Sequence, residues 1–336
     1  MYNYSGFNRM RICWHKAKNW EYWPAYIIYM PTFFYWVWLM IKYRSFSFYK
    51  YSNPSIKNGG FYGDSKMDIY KLLPQNKYPK TLLIKENGDY DYGKLISENK
   101  LSFPLILKPD IGLRGIDVVK VDSILEIENY CQLKKTNFLI QEFIDLPNEI
   151  GLFYCRVPNE NNGKITGITL KKFLTIEGNG FESVEQLLKK NYRYEMQISK
   201  LKDKISLNEV LPLKVKRCLV PFGNHNRGTE FLDGNLFISD KLNHTFNSIL
   251  NSVPGFYFGR LDIRYNTFEE LERGENFSLI ELNGAKSEPT HIYDPKNSFW
   301  SGQKEIFRHQ KIMQRIVKVN VEQLKTKSSW WLQVKP

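Results

Sequence analysis

Two short segments hold most of the residues that can do chemistry. Gly259-Arg260-Leu261-Asp262-Ile263-Arg264 is followed, after the polar stretch Tyr265 to Asn276, by Leu279-Ile280-Glu281-Leu282-Asn283-Gly284. Residues two apart on a strand share a face. Arg260 and Asp262 thus point one way, and Glu281 and Asn283 point one way. The stretch between them is rich in Asn, Glu and Gly, as a strand connection is. Paired strands would bring Asp262, Glu281 and Asn283 onto one hard cation. Such an ion takes carboxylate, carbonyl and water oxygens and leaves positions for phosphates. The competing reading is two unrelated edge strands carrying solvated acids.

Other pieces of a nucleotide site lie upstream. Phe103 to Lys108 is an apolar run ending on a lysine, and Asp110 to Gly115 is a turn. The Lys108 ammonium can meet a triphosphate, and Gly112 and Gly115 let backbone amides approach it closely. A solvated strand-end lysine is the alternative. Leu139-Ile140-Gln141-Glu142-Phe143-Ile144 is a strand, with Glu149 just beyond the bend Asp145 to Asn148. A bend there exposes backbone groups to an adenine edge, and a carboxylate accepts from an amino group or a ribose diol. Two surface acids at a turn would look the same.

Three loops suit a substrate. In Pro221 to Gly228, His225 is a candidate acid or base, as histidine side chains can be near neutral pH, and Arg227 can grip a carboxylate through two parallel bonds. Ser287 to Asp294 follows the second strand directly, which offers Ser287, Glu288 and His291, with Glu288 able to attract an amine. Gly59, Gly60 and Gly63 lead into Asp64-Ser65-Lys66, where a capped helix can hold an anion and Lys66 is a candidate substrate contact. This loop lacks the GxxxxGK[ST] spacing. No G-x-S-x-G elbow is present, so the Ser, His and acidic residues do not suggest a hydrolase.

The elements that must position these residues are mixed. Strands are expected at Ile116 to Val121, Glu149 to Val157 and Lys164 to Ile176. Helices are expected at Lys66 to Leu73, Asp91 to Asn99, Ser123 to Leu133, Glu182 to Asn191, Leu242 to Ser252 and Gln303 to Lys325. No regular βαβ alternation appears, which argues α+β layers. The N-terminal region is unusual: Trp23 to Ile41 is 19 residues without a charge, aromatic in composition and interrupted by Pro24 and Pro31. It reads as a helix buried against the domain or in a homodimer, as an interfacial helix on an anionic membrane, or as a spanning helix.

At 336 residues the chain can bury one large core or two to three subdomains. Net charge is +13, which implies an anionic partner. Nucleic acid is not expected, because zinc spacing, helix-turn-helix cues and RNA-binding aromatic signatures are missing. Cys13, Cys131, Cys155 and Cys218 are scattered, as in a reduced, cytoplasmic protein. No secretory signal with a small-residue cleavage site is seen.

In their order and gaps, Phe103 to Asp110, Gln141 to Ile144 with Glu149, and the Gly-Arg-Leu-Asp…Glu-Leu-Asn-Gly pair resemble ATP-grasp enzymes of the D-alanine–D-alanine ligase-like branch. Lys171-Lys172, Gly178-Asn179-Gly180 and Ser183 to Leu188 are similar to a segment of cyanophycin-synthetase-like members. The resemblance covers about residues 100 to 295. It implies an ATP-grasp fold, two α+β subdomains clasping ATP: 96–145 as the small one, 146–300 as the large one with the metal site. Residues 1–95 are then an atypical aromatic and basic region facing substrate or membrane, and 301–336 a basic C-terminal helix.

The resemblance further implies that Lys108 and Lys171 or Lys172 bind ATP phosphates. Glu142, with the backbone at Phe143 and Ile144, meets adenine, Gln141 lies beside them, and Glu149 holds ribose. Asp262, Glu281 and Asn283 hold Mg²⁺, expected as two ions with Mn²⁺ as a substitute. Arg260 steadies the transferred phosphoryl group. The implied activity is an ATP-dependent carboxylate–amine ligase acting on small molecules through an acyl-phosphate. Two alternatives remain: an enzyme modifying a lipid- or polysaccharide-linked acceptor at the inner membrane face, and a non-catalytic nucleotide-binding scaffold. Two departures stand out. Asn179 replaces an acid, and the first 100 residues lack the Gly-rich domain that precedes the grasp in D-alanine ligases, which leaves the substrate open.

Overall fold

The computed structural model describes residues 6–86, 88–112 and 115–333, with side chains from 10 to 325 within those ranges. Leu113 and Arg114 of the expected 110–115 turn lie outside the described residues, as do the outermost residues of the two terminal regions. The expected α+β class holds, with every strand pairing antiparallel.

The chain opens with α1 (Gly6–Lys18), a 3-10 turn at Trp20–Tyr22, α2 (Ala25–Tyr43) and α3 (Lys66–Leu72). The Ser65 side chain caps α3 by accepting from the Asp68 amide at 3.1 Å. A first sheet follows, ordered β1–β4–β2–β3. Its strands are β1 (Thr81–Ile84), β2 (Leu105–Pro109), β3 (Val119–Val121) and β4 (Phe138–Glu142), with α4 (Tyr92–Glu98) and α5 (Ile124–Leu133) interleaved. Leu105, Leu107, Ile127, Phe138 and Ile140 form its core. Because β1 pairs with β4, this sheet draws in residues upstream of 96.

The second sheet is ordered β11–β10–β5–β6–β9. It comprises β5 (Asn148–Cys155), β6 (Lys164–Lys172), β9 (Glu230–Asp233), β10 (Phe258–Tyr265) and β11 (Phe277–Asn283). Between β6 and β9 lies a small unit: β7 (Leu174–Glu177), α6 (Val184–Lys189), α7 (Tyr192–Glu195), α8 (Ile198–Leu201) and β8 (Lys216–Val220). The single strand expected over 164–176 therefore divides at Phe173, and β7 pairs with β8 instead of continuing the large sheet. One side of that sheet buries Leu152, Ile168, Leu261 and Leu279 against Phe246 and Leu250 of α9 (Asp240–Asn251).

The connection expected as a plain polar loop between β10 and β11 contains α10 (Phe268–Arg273). Thr267 and Glu270 close a capping box around its first turn, a Thr-x-x-Glu signal present in the sequence.

α11 (Phe299–Gln333) runs along α2. Gln303 Nε2 donates to the Ile28 carbonyl at 2.9 Å, and Tyr35 Oη meets Gln314 Oε1 at 2.5 Å. Ile28, Thr32 and Leu39 are buried, so one side of α2 packs on the body. Its other side shows Tyr26, Phe34 and Ile41 at 70% exposure or more. Among the described residues no helix is long and apolar enough to cross a membrane, which removes the spanning reading.

Candidate active site

Antiparallel pairing builds the site. Asp262 on β10 lies opposite Glu281 on β11, and Arg260 lies opposite Asn283, so the side chains alternate onto one face as the period of two requires. Across the other edge of β10, Asp262 faces Gly151 and Arg264 faces Glu149 of β5. Gly151 is a necessary gap: a Cβ there would stand 3.2 Å from Arg260 Cδ and 3.4 Å from Asp262 Oδ1.

Buried charges are held in a chain of pairs. Lys171 Nζ reaches Glu149 Oε1 at 2.7 Å and Asp262 Oδ1 at 2.9 Å. Arg260 Nε lies 3.0 Å from Asp262 Oδ1, and Arg264 Nε lies 3.2 Å from Glu149 Oε2. Burial alone would raise the Asp262 carboxyl, but Arg260 and Lys171 outweigh it and hold it down at about 2. Burial likewise works to lower Lys171, and the Asp262 and Glu149 carboxylates overcome it and raise its pKa. This balance is what a paired interior charge requires.

Lys108, the β2 lysine, is equally buried but has no carboxylate within ion-pair distance among the described residues. Its Nζ donates to Tyr70 Oη and Gln141 Oε1, each at 2.8 Å, and sits 5.2 Å from the Tyr70 ring centroid. Burial pushes it down to about 8, with Glu281 opposing. Lys66 Nζ donates to the carbonyls of Pro109, Asp110 and Gly112 at 3.2–3.3 Å, and burial lowers its pKa too.

These groups line one cavity of about 1250 Å³. Of the residues named from the sequence it collects Lys66, Lys108, Gly112, Gly115, Gln141, Glu142, Phe143, Ile144, Glu149, Lys171, His225, Arg227, Arg260, Asp262, Glu281, Asn283, Ser287 and Glu288. Two fall outside it. Lys172 projects from the other face of β6 and pairs with Glu230 at 3.2 Å, as strand alternation demands. His291 is buried beneath the lining, with both ring nitrogens unpaired, and crowds Gly167.

Several expected contacts are already committed within the chain. Glu149 accepts from Lys171, Arg264 and the Gly223 amide, so its oxygens face the interior network. Arg227 Nη2 donates to the carbonyls of Gly115 at 3.0 Å and Val118 at 3.3 Å, tying the loop after β2 to the 221–228 loop. His225 Nε2 lies 2.8 Å from Glu21, whose carboxylate Arg193 also grips with two bonds of 2.7 Å. The turn at Gly59 and Gly60 packs on Gly284, and does not lie open to an anion.

The sequence reading missed Tyr70, Arg264, Glu21 and the Lys286–Asp64 pair at 3.1 Å. Arg264 was legible by extending the Arg260, Asp262 alternation one step. The others need contacts between segments far apart in the chain.

The donor types suit a hard cation once Asp262, whose two oxygens are held by Lys171 and Arg260, is released from them. Asp262 and Glu281 supply carboxylates, and the buried Asn283 Nδ2 has no hydrogen-bond partner. Turning that amide over presents its oxygen instead. Among the described residues no group of three or more His, Cys, Asp or Glu side chains is placed to hold a metal ion, so the set is two carboxylates and an amide.

Comparison with known proteins finds a family model similar to part of the chain. Residues 63–165 match the model of a RimK-like ATP-grasp domain. No curated protein matches the chain. The D-alanine–D-alanine ligase from Coxiella burnetii is 8% identical with a TM-score of 0.44, covering 80% of this chain and 61% of that one. The corresponding ligase from Bacillus anthracis is 12% identical with a TM-score of 0.40, covering 78% and 68%. A bifunctional glutathione synthetase from Pasteurella multocida is 11% identical with a TM-score of 0.37, covering 72% of this chain and 36% of that one. The chain thus spans little more than a third of that synthetase.

Proposed function

We propose, from the match of residues 63–165 to a RimK-like ATP-grasp domain, that the chain is an ATP-dependent carboxylate–amine ligase. The observation that carries the reading is the facing Asp262 and Glu281 in one cavity with Lys108, Lys171 and Arg260. Phosphoryl transfer asks mainly for positioning and for charge that meets the phosphate oxygens. In this reading the γ-phosphoryl group passes to a substrate carboxylate, giving an acyl-phosphate and ADP. An amine then attacks the acyl carbon, and inorganic phosphate leaves as the amide forms.

Each residue has a bounded task. Lys108 and Lys171 hold phosphates, Lys171 exchanging a carboxylate partner for a phosphate oxygen. Glu142 and the backbone at Phe143 and Ile144 hold adenine, at the cavity edge where Glu142 also accepts from the Lys80 amide. Arg260 steadies the acyl-phosphate. Asp262, Glu281 and Asn283 would hold Mg²⁺, which supplies charge neutralisation for the moving phosphoryl group. Domain limits of 96–145 and 146–300 for the two clasping halves belong to the same proposal, with the first half extended upstream to take in β1 at Thr81–Ile84.

An ADP-release screen over amino acids, peptides and cell extract, with mass detection of the new amide, tests the reading. Amide formed in step with ADP supports it. A complete lack of turnover, with ATP still bound, favours the scaffold alternative. The exposed aromatic side of α2 and the net charge of +13 support a second reading, attachment at an anionic membrane surface. No sedimentation with anionic vesicles at low salt removes it, and a concentration-dependent mass in that assay's protein-only control would assign the face to a homodimer.

Lys108 adds a pH signature. The free protein loses this charge above about 8, while bound phosphate would keep the ammonium. ATP affinity is therefore expected to fall about tenfold per pH unit between roughly pH 8 and 10. Calorimetry at pH 7, 8 and 9 reads this, and Lys108→Met should flatten the profile. A wild-type profile as flat as the variant's would contradict the role.

A further inference from the structure

We infer that the molecule activated or extended at this site carries a long apolar tail, held between α2 and α11. The inference takes the reacting head from the ligase reading; the tail rests on the cavity. One region of its lining is the buried ionic cluster. Another is apolar: Phe33, Trp36 and Met40 from α2, Phe46 beyond it, and Ile306 and Met313 from α11.

Specific contacts join the two regions. Arg260 Nη1 reaches the Glu288 carbonyl at 3.5 Å. The Glu288 carboxylate accepts from Tyr293 Oη at 2.9 Å and from Tyr29 Oη of α2. The reacting end is therefore tied directly to α2 through Glu288. The apolar wall is built, not collapsed. Trp36 stacks with Phe61 at 5.7 Å and with Tyr49 at 6.1 Å, and Tyr49 stacks with Phe61 at 4.3 Å. Met313 is 1% exposed, whereas Phe33 is 53% and Phe46 85% exposed, so this apolar arm of the lining spans buried and exposed positions.

A wall of this chemistry rewards alkyl or aromatic surface and penalises a polar substituent left without partners. A small polar amino acid would leave it wet. An amphiphile, with carboxylate or amine at the ionic end and a chain along α2, fills it. The same amphiphile can arrive free in solution or seated in a lipid surface.

Binding of N-acylglycines from acetyl to decanoyl to the whole chain, measured by calorimetry, tests the arm without requiring turnover. Affinity should rise roughly fourfold per methylene until the arm is full, and Phe33→Gln, at a half-exposed position that does not threaten folding, should cut that gain. Equal affinity across the series overturns the inference. The same series run for ADP release separates it from the ligase reading. Equal turnover of acetyl and decanoyl substrates sinks the tail and keeps the ligase; chain-dependent binding without ADP release does the reverse. Chain-dependent binding seen only with the acylglycine anchored in phosphatidylcholine vesicles keeps the tail and assigns its source to the bilayer.

Discussion

Glu281→Gln is expected to lower ADP release by about 10³-fold, the scale for losing a group aimed at charge in a phosphoryl- or acyl-transfer site. The fold should stay intact. Glu281 has no ion pair among the described residues, whereas its cross-strand partner Asp262 is held by Lys171 and Arg260. The swap keeps the side chain's shape and removes one negative charge. Stability should change by about 1 kcal/mol at most, the typical size for a single substitution, because Glu281 has no ion pair to break among the described residues. Thermal unfolding and ADP release measured on one preparation decide the matter. Turnover close to wild type would sink the metal-site assignment and the ligase reading with it.

Lys171→Met is expected to act on stability as well. Its ammonium is 3% exposed and serves two buried carboxylates. Removing one partner of such a network leaves charge uncompensated in the interior, at a cost of about 3–5 kcal/mol. The pH dependence has a definite sign. Asp262 falls from 3.8 unfolded to about 2 folded. Its contribution is present above the unfolded value and lost as pH drops through the folded one. Lys171 is raised instead, so its share is present below 10.5 and lost as pH climbs above it. The wild-type protein should thus lose stability below about pH 4 more steeply than Lys171→Met, because the variant has less Asp262 pairing to lose. Lys171→Arg should recover part of the stability. Urea midpoints at pH 3, 5 and 7 are the measurement, and parallel curves for wild type and Lys171→Met would refute the assignment.

Legibility in the sequence followed interaction range. The Asp262, Glu281 and Asn283 geometry came from strand alternation, a local rule. So did the helices capped by Ser65 and Ser123. Lys171 and Lys172 are adjacent, and only the register of β6 against β5 and β9 separates the interior lysine from the surface one. The roles imagined for His225 and Arg227 rested on exposure in a polar loop. Glu21 is 204 residues from His225, and Gly115 is 112 from Arg227, so no local pattern could report those bonds. The N-terminal region was unreadable for a related reason. Its aromatic composition fits burial, a lipid surface or a partner equally, and only the packing of α11 on one side shows which of its residues are buried.

The glycine turn at 59–60 carries a consequence for where this fold may be cut. Gly59 and Gly60 adopt φ of +65° and +76° and lie so close to Gly284 that a Cβ on Gly60 would stand 2.7 Å from its Cα. The Gly59 and Gly60 carbonyls accept from the amides of Ala285 and Lys286 at 2.9 and 3.2 Å. Similarity to the RimK-like family begins at residue 63, just past this seam. A chain started there would strip two amide partners from the segment that follows Asn283 and uncover Phe258, Met313 and Val317, which pack with Leu39 and Phe48. The edge of the matched segment is therefore not a limit of cooperative unfolding: hydrogen exchange at Ala285 and Lys286 should report the same opening event as the amides of α2.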